Sequence, residues 1–524
     1  MAASPEVKER RLPAALILVL IFLSLLAIHA PLLRLPYFWD EAGYYIPAAR
    51  DLLLTGSLIP HTTPSNAHPP LVMAYLALCW KIAGYTPLVT RTAMLLMAAF
   101  ALLGLFRLAR RAANMEVAIA VVICTAVYPV FFVQSSLAQV DLAAAGLTFW
   151  GLLAYIEERP VAAAAWFSLA VLAKETAILA ALALFAWELL RGLRHKKWDR
   201  AVLRRKILLL APAVPLAVWY AYHRWRTGFF FGNPEYFRYN VQATMHPVRM
   251  VLAFLMRVWQ NFGYMGLYVL TLAAAGAMWL PPLREPEGEE RPRIAPDIQF
   301  AFLAVIVAYV AVMSLVGGAV LARYMLPVVP LVILVAISTL RRRVRLWRWV
   351  VGIVAAGFVT SLFVNPPYGF SLEDNLAYRD YILLHEHAIA FTQAHYASGR
   401  VLTAWPASGE LSQPWLGYVS RPTRVLQVED FTVEELMSAA EMRPSFEAAL
   451  VFSTKYEPAH PLLQHWAAWQ RIKAEYFGYH RDLPPAAAAQ ILGGKLVYVE
   501  CRKGQWVGVI EMEPIEEANT SFDH

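Results

Sequence analysis

Apolar runs, most of them near the length of a membrane crossing, alternate with short polar or basic loops along the first two-thirds of the chain. The hydrocarbon core of a bilayer takes about 20 helical residues, so such runs read as spanning helices. The pattern predicts about eleven, roughly at 12–33, 88–109, 115–133, 139–156, 160–173, 175–191, 207–223, 263–281, 298–318, 324–340 and 347–365. The short fifth and sixth runs read as a broken pair around Lys174-Glu175. Residues 69–84 are apolar but short, start with two prolines and carry Lys81. They fit either a span or a helix lying in the membrane interface. After about Asn365 the pattern changes to that of a soluble protein, with a helix expected over 378–396 and short strands at 400–405, 424–428, 449–453, 496–501 and 506–512. The expected organisation is a membrane module over 1–365, whose first outer loop at 34–87 carries interfacial helices, followed by an extracytoplasmic α/β domain over 366–524.

Composition narrows the class. With 59% hydrophobic and 16% charged residues over 524 positions, a soluble globular enzyme is excluded. The net charge of +8 does not call for nucleic acid, because Lys and Arg are concentrated in short loops, where they encode orientation. Lys8, Arg10 and Arg11 place the N-terminus in the cytoplasm. Charge also decides residues 69–84. If they lie in the interface, Arg107, Arg110, Arg111, the basic stretch 191–206 and the arginines from Arg341 to Arg348 all fall inside; if they span, all fall outside. The first arrangement sends Asp40, Glu41, His61, His68, Asp141, Lys174, Glu175 and Arg323 to the outer ends of their segments. The stretch 224–262, with Phe229-Phe230-Phe231, joins them there and is expected to pack over the cluster. Cys79, Cys124 and Cys501 are far apart and have no metal-ligand spacing, so neither a disulfide framework nor a metal site is expected. An Ala- and Leu-rich chain without an organelle address points to a bacterial inner membrane.

Within that outer cluster, Asp40-Glu41 sits just past the first run, among Tyr37, Phe38, Trp39, Tyr44 and Tyr45. Carboxylates so close to lipid are costly and call for a purpose, either chemistry or capping of the helix that follows. Further on come His68-Pro69-Pro70-Leu71, Asp141 at a span start, Lys174-Glu175-Thr176, and Arg323-Tyr324-Met325-Leu326-Pro327-Val328-Val329-Pro330. In this order the set resembles the C-type (GT-C) glycosyltransferase superfamily, in the branch of protein O-mannosyltransferases and bacterial aminoarabinose transferases acting on lipid A. The likeness covers about residues 12–340.

The resemblance implies a polytopic GT-C fold, a polyprenyl-phosphate sugar as donor, and transfer with inversion to a hydroxyl on protein, lipid or glycan outside the cytoplasm. No cofactor beyond the donor and no metal is expected. The attacking hydroxyl must lose a proton, for which Asp40 is the candidate base and Glu41 the runner-up. The departing lipid phosphate must meet fixed cations, for which Lys174 and Arg323, with its neighbour Tyr324, are the candidates. Tyr44, Tyr45, His68, Asp141 and Glu175 are candidates for holding sugar or acceptor. Each also has a simpler role: a Lys174–Glu175 salt bridge, interface anchoring by Arg323 and the tyrosines, helix capping by Asp141, a solvated His68. A lipid-linked-sugar transporter or flippase is the rival reading. Against it, the two halves show no internal repeat and the charges gather at one face instead of the midplane.

Overall fold

A computed structural model describes residues 13–195, 206–286, 288–458 and 466–512. The N-terminal basic residues Lys8, Arg10 and Arg11, and the stretch from Lys196 to Arg205, lie outside the described residues. Four described helices are long and apolar enough to cross a membrane: Ala14–Leu32, Pro87–Ala112, Glu175–Arg194 and Pro296–Leu315. Shorter apolar helices, Leu71–Ala83, Met115–Val127, Asp141–Ile156, Pro160–Ala173 and Trp347–Phe363, accompany them. Several helices start with proline at the first helical position, where its missing N–H costs nothing, as at Pro87, Pro160, Pro247 and Pro296. Thr86 and Asn114 cap the following helices by accepting from Val89 N and Val117 N.

The helix Asp141–Ile156 is buried almost all round and forms the centre, whereas Ala14–His29 is largely exposed and lies at the periphery. Small residues set the central spacing: a Cβ on Gly146 would lie 2.5 Å from that of Ala101.

The ends of the helices define two faces. At one, Glu116 pairs with Arg341 at 2.8 Å and with Arg348, Arg342 with Glu290 at 2.6 Å, and Arg191 with Asp297 at 2.6 Å. The basic loops meet there. The opposite face gathers the candidate site. The helix Leu71–Ala83 has both ends at that second face. His68 precedes it, and after it Tyr85 donates to Trp415 O at 3.1 Å while Thr90 is hydrogen-bonded to Tyr37 at 2.7 Å. Both of its ends therefore lie at the same face.

The stretch 224–262 is not a bare loop. It holds the helices Pro234–Asn240 and Pro247–Phe262. The second is inside out by the standard of a soluble protein: Val251, Phe254, Leu255, Trp259 and Phe262 are exposed, while Arg249, Arg257, Gln260 and Asn261 are buried. An apolar face turned outward fits lipid, and the polar face turned inward serves the site.

Beyond the last apolar helix, the helix Ala377–His395 packs on a five-stranded sheet of β1 (Arg400–Ala404), β2 (Arg424–Val428), β3 (Ala448–Phe452), β4 (Gly494–Arg502) and β5 (Gln505–Met512). The order is β2-β1-β3-β5-β4, with β1 parallel to β2 and β3, and β5 antiparallel to β3 and β4. One apolar core joins Leu32, Leu35, Phe38, Phe132 and Leu362 of the membrane segments to Tyr378, Tyr381 and Ile382 of this part.

Candidate active site

The chain leaves the first helix through Pro36 and turns sharply. Trp39 has φ 41, a left-handed conformation unusual for a bulky residue, and Glu41–Tyr45 forms a π-helical turn. Strain of this kind costs about 1–3 kcal/mol and concentrates at functional sites, as do π-turns. A second non-glycine residue of this kind, Ala67 with φ 58, stands directly before His68. Its carbonyl is held by Trp219 Nε1 at 2.8 Å. These two of the five non-glycine residues with positive φ among the described residues flank candidate residues.

The π-turn separates the two acids. Glu41 is fully buried, clasped by Arg91 at 2.5 and 2.7 Å and by the backbone N–H groups of Phe38 and Ala138 at 2.7 Å each. All its acceptor capacity is used in joining the turn to the Pro87–Ala112 helix and the Ala138 loop. Glu41, the runner-up for the base, thus has every acceptor engaged and lines neither of the cavities described below. Asp40, 24% exposed, instead opens onto a cavity of about 340 Å³ and accepts from Arg323 Nη2 at 2.5 Å.

Arg323 lies in the helical turn Ala322–Met325 and is the hub of the cluster. Its Nη1 donates to Gln139 at 2.8 Å and to Glu373, and its Nε lies 3.2 Å from Asp141 without hydrogen-bond geometry. With three carboxylates around one guanidinium, Arg323 is not a free phosphate fork, and the sequence expectation is corrected on that point. Asp141 also accepts from Lys174 at 2.5 Å. It is therefore a bridge between the two cations and not a helix cap.

Lys174 does not pair with its neighbour Glu175, which accepts instead from His68 Nδ1 at 2.8 Å. Its ammonium lies 3.9 Å from the centre of the Tyr324 ring. Arg257 and Arg323 lie over the same ring at 5.4 and 5.6 Å, so one aromatic face system gathers three cations.

A second cavity, of about 290 Å³, adjoins the first. His68, Tyr236, Asn240 and Tyr324 line both and form the wall between them. The first cavity is rimmed by Trp39, Tyr44, Tyr45, Trp405 and Lys455. The second carries Lys174 and Glu175 at one end and Phe231, Phe237, Val241, Met313 and Val316 elsewhere. Tyr45 stacks on His68 at 5.9 Å, and Tyr44 lies 6.3 Å from Trp405. His61 stays outside the cluster, its N–H bound to Asp51 at 2.6 Å.

Three residues that the sequence did not single out belong to the site. Glu373 and Asp374 follow the last apolar helix; Asp374 accepts from Tyr264 at 2.6 Å, and burial pushes its carboxyl up to about 7. Burial likewise raises Glu373, against the pull of Arg323. Arg257 is fully buried and bonds to Met313 O, Leu321 O and Gln260 Oε1, while its Nη2 has no hydrogen-bond partner among the described residues. That nitrogen lies behind Gly317 and Tyr324, which line the second cavity, while Arg257 itself is buried beneath them. A polar residue in a helix of exposed apolar positions was the only signal for it.

No metal-holding group of three or more His, Cys, Asp or Glu is present among the described residues. Residues 67–220 match the family model described as dolichyl-phosphate-mannose-protein mannosyltransferase. The crystal structure of ArnT from Cupriavidus metallidurans in the apo state is similar over 95% of this chain and 98% of that one, with a TM-score of 0.51 and 14% identity. The chain has the GT-C glycosyltransferase fold. The same ArnT bound to undecaprenyl phosphate is similar over 94% of this chain and 97% of that one, with a TM-score of 0.51 and 13% identity. No curated protein sequence matches. The family match spans His68, Asp141, Lys174 and Glu175, whereas Asp40, Arg257, Arg323 and Glu373 lie outside it.

Proposed function

We propose that the protein is an inverting glycosyltransferase that moves a sugar from a polyprenyl-phosphate donor to a hydroxyl acceptor, with eleven membrane crossings and its site on the outer face of a bacterial inner membrane. The observation that carries this reading is the pair of adjoining cavities. A partly exposed Asp40 faces the polar one, and Lys174 and Tyr324 face the apolar one, with the unpartnered Nη2 of Arg257 directly behind Gly317 and Tyr324. The ArnT structure bound to undecaprenyl phosphate supports a polyprenyl phosphate as ligand.

The chemistry follows from that division. An acceptor hydroxyl in the polar cavity attacks the anomeric carbon and passes its proton to Asp40, while the carbon–oxygen bond to the lipid phosphate breaks on the opposite side. The bonding pair leaves with the phosphate, whose growing charge meets Lys174 and Arg257 in a site with little water. Attack and departure on opposite sides invert the sugar. The aromatic second cavity has the chemistry to take the first isoprene units. The phosphate-binding role falls to Arg257 with Lys174, and Arg323 belongs to the base.

The Asp40→Asn variant is expected to fold, insert and bind donor, yet lose transfer by about 10²- to 10⁴-fold, the range a general base contributes. The assay offers a panel of polyprenyl-phosphate sugars and identifies products by mass. Full transfer by Asp40→Asn removes the assignment; movement of polyprenyl phosphate across liposomes with no glycosylated product supports the transporter reading instead.

A further inference from the structure

An acid gripped by an arginine is a poor proton acceptor, because protonation forfeits a charge-assisted hydrogen bond. Asp40 is gripped in this way by Arg323. We infer that Glu373 is a positioning residue for the reaction: it shares Arg323 with Asp40, so that the guanidinium aims the base without monopolising it. The inference rests on Asp40 being the base.

The geometry supports the sharing. Arg323 presents one terminal nitrogen to Asp40 and the other to Glu373, and Gln139 locks the second contact by accepting from that nitrogen and donating to Glu373 at 2.8 Å. When Asp40 takes a proton, Arg323 keeps Glu373 and the ionic contact to Asp141, so the arginine is never left as a buried, uncompensated charge. The surrounding groups do not supply this function. Asp141 divides its charge between Lys174 and the non-hydrogen-bonded side of Arg323, His68 is committed to Glu175 and Asp374 to Tyr264, while the remaining neighbours are Lys455 on the cavity rim and the phenols Tyr45, Tyr236, Tyr239 and Tyr324. Glu373 is fixed from below by the turn Leu372–Asp374 and by Leu376 N–H bonding to Leu362 O at 3.2 Å, at the exit of the last apolar helix.

The test is the pH dependence of kcat at saturating donor for Glu373→Gln and Glu373→Asp, beside Asp40→Asn. Removing the negative charge in Glu373→Gln leaves Arg323 more fully on Asp40. The acid limb of the profile should then move down by about one pH unit, and the plateau should fall about tenfold. Glu373→Asp, which keeps the charge, should restore the position of the limb. An unmoved limb in Glu373→Gln, or the same displacement in Glu373→Asp, overturns the proposal. If Glu373→Gln does not fold, the limb of Glu373→Asp decides alone: at the wild-type pH it supports the proposal, displaced it overturns it. Undiminished transfer by Asp40→Asn would instead sink the base assignment, so the two failures are distinct.

Discussion

Asp40 and Glu41 share a peptide bond yet meet different charges, because the π-turn sends one side chain into the cavity and the other against Arg91. The acidic pair and the Arg-Tyr-Met-Leu-Pro stretch were legible in the sequence because adjacent residues carry their own pattern. Which of the two acids is free was not, since Arg91 stands 50 positions away. Glu373, Asp374 and Arg257 were unreadable for the same reason: each gains meaning only from partners in other helices. Asp374 yields a prediction at this scale. Its carboxyl titrates near 7 in the fold against about 4 in the unfolded chain, so the stability it contributes is full below about pH 4 and gone above about pH 7. The melting temperature of the detergent-solubilised protein should therefore fall between about pH 4 and 7. Asp374→Asn should flatten that part of the curve, as differential scanning fluorimetry would read.

Elements divide along similar lines. Helices stand in all the apolar runs, and the strands lie within two residues of their expected places, since hydrophobic periodicity is a local signal. The helix Pro247–Phe262 escaped because its charged residues lower the hydropathy of any window, although they point inward. The turn at Glu41–Tyr45 also escaped, because a π-turn has no distinctive composition. It is tied to the sheet region by Gly43, where a Cβ would lie 2.6 Å from the Trp405 ring. Trp405 in turn packs edge-on to Trp39 at 5.3 Å and lines the polar cavity. Gly43→Ala should push Trp405 out, lowering the melting temperature by a few degrees and raising the KM for acceptor more than that for donor. Equal effects on both constants would show that the contact serves stability alone.

At the scale of the whole molecule, Arg341 and Arg342, which the charge pattern puts on the cytoplasmic side, meet in ion pairs with Glu116, Glu285 and Glu290. The reading of Leu71–Ala83 as an interfacial helix rests on that charge pattern and on both of its ends lying beside the site. In a cysteine-free background, Lys81→Cys should react with a membrane-impermeant maleimide in intact cells, and Gly288→Cys should react only after the membrane is opened. The reverse pattern would invert the orientation. The shared core of the membrane segments with the sheet region also explains why Asp40 opens onto a cavity that Trp405 and Lys455 line.

The wall of His68, Tyr236, Asn240 and Tyr324 between the two chambers has a consequence for turnover. On the proposed function, one reactant arrives dissolved in lipid and the other in water, through separate doors, and neither must vacate for its partner. Such an enzyme needs no sugar parked on the protein between steps, and the spent carrier can drift away sideways while the glycosylated product departs upward.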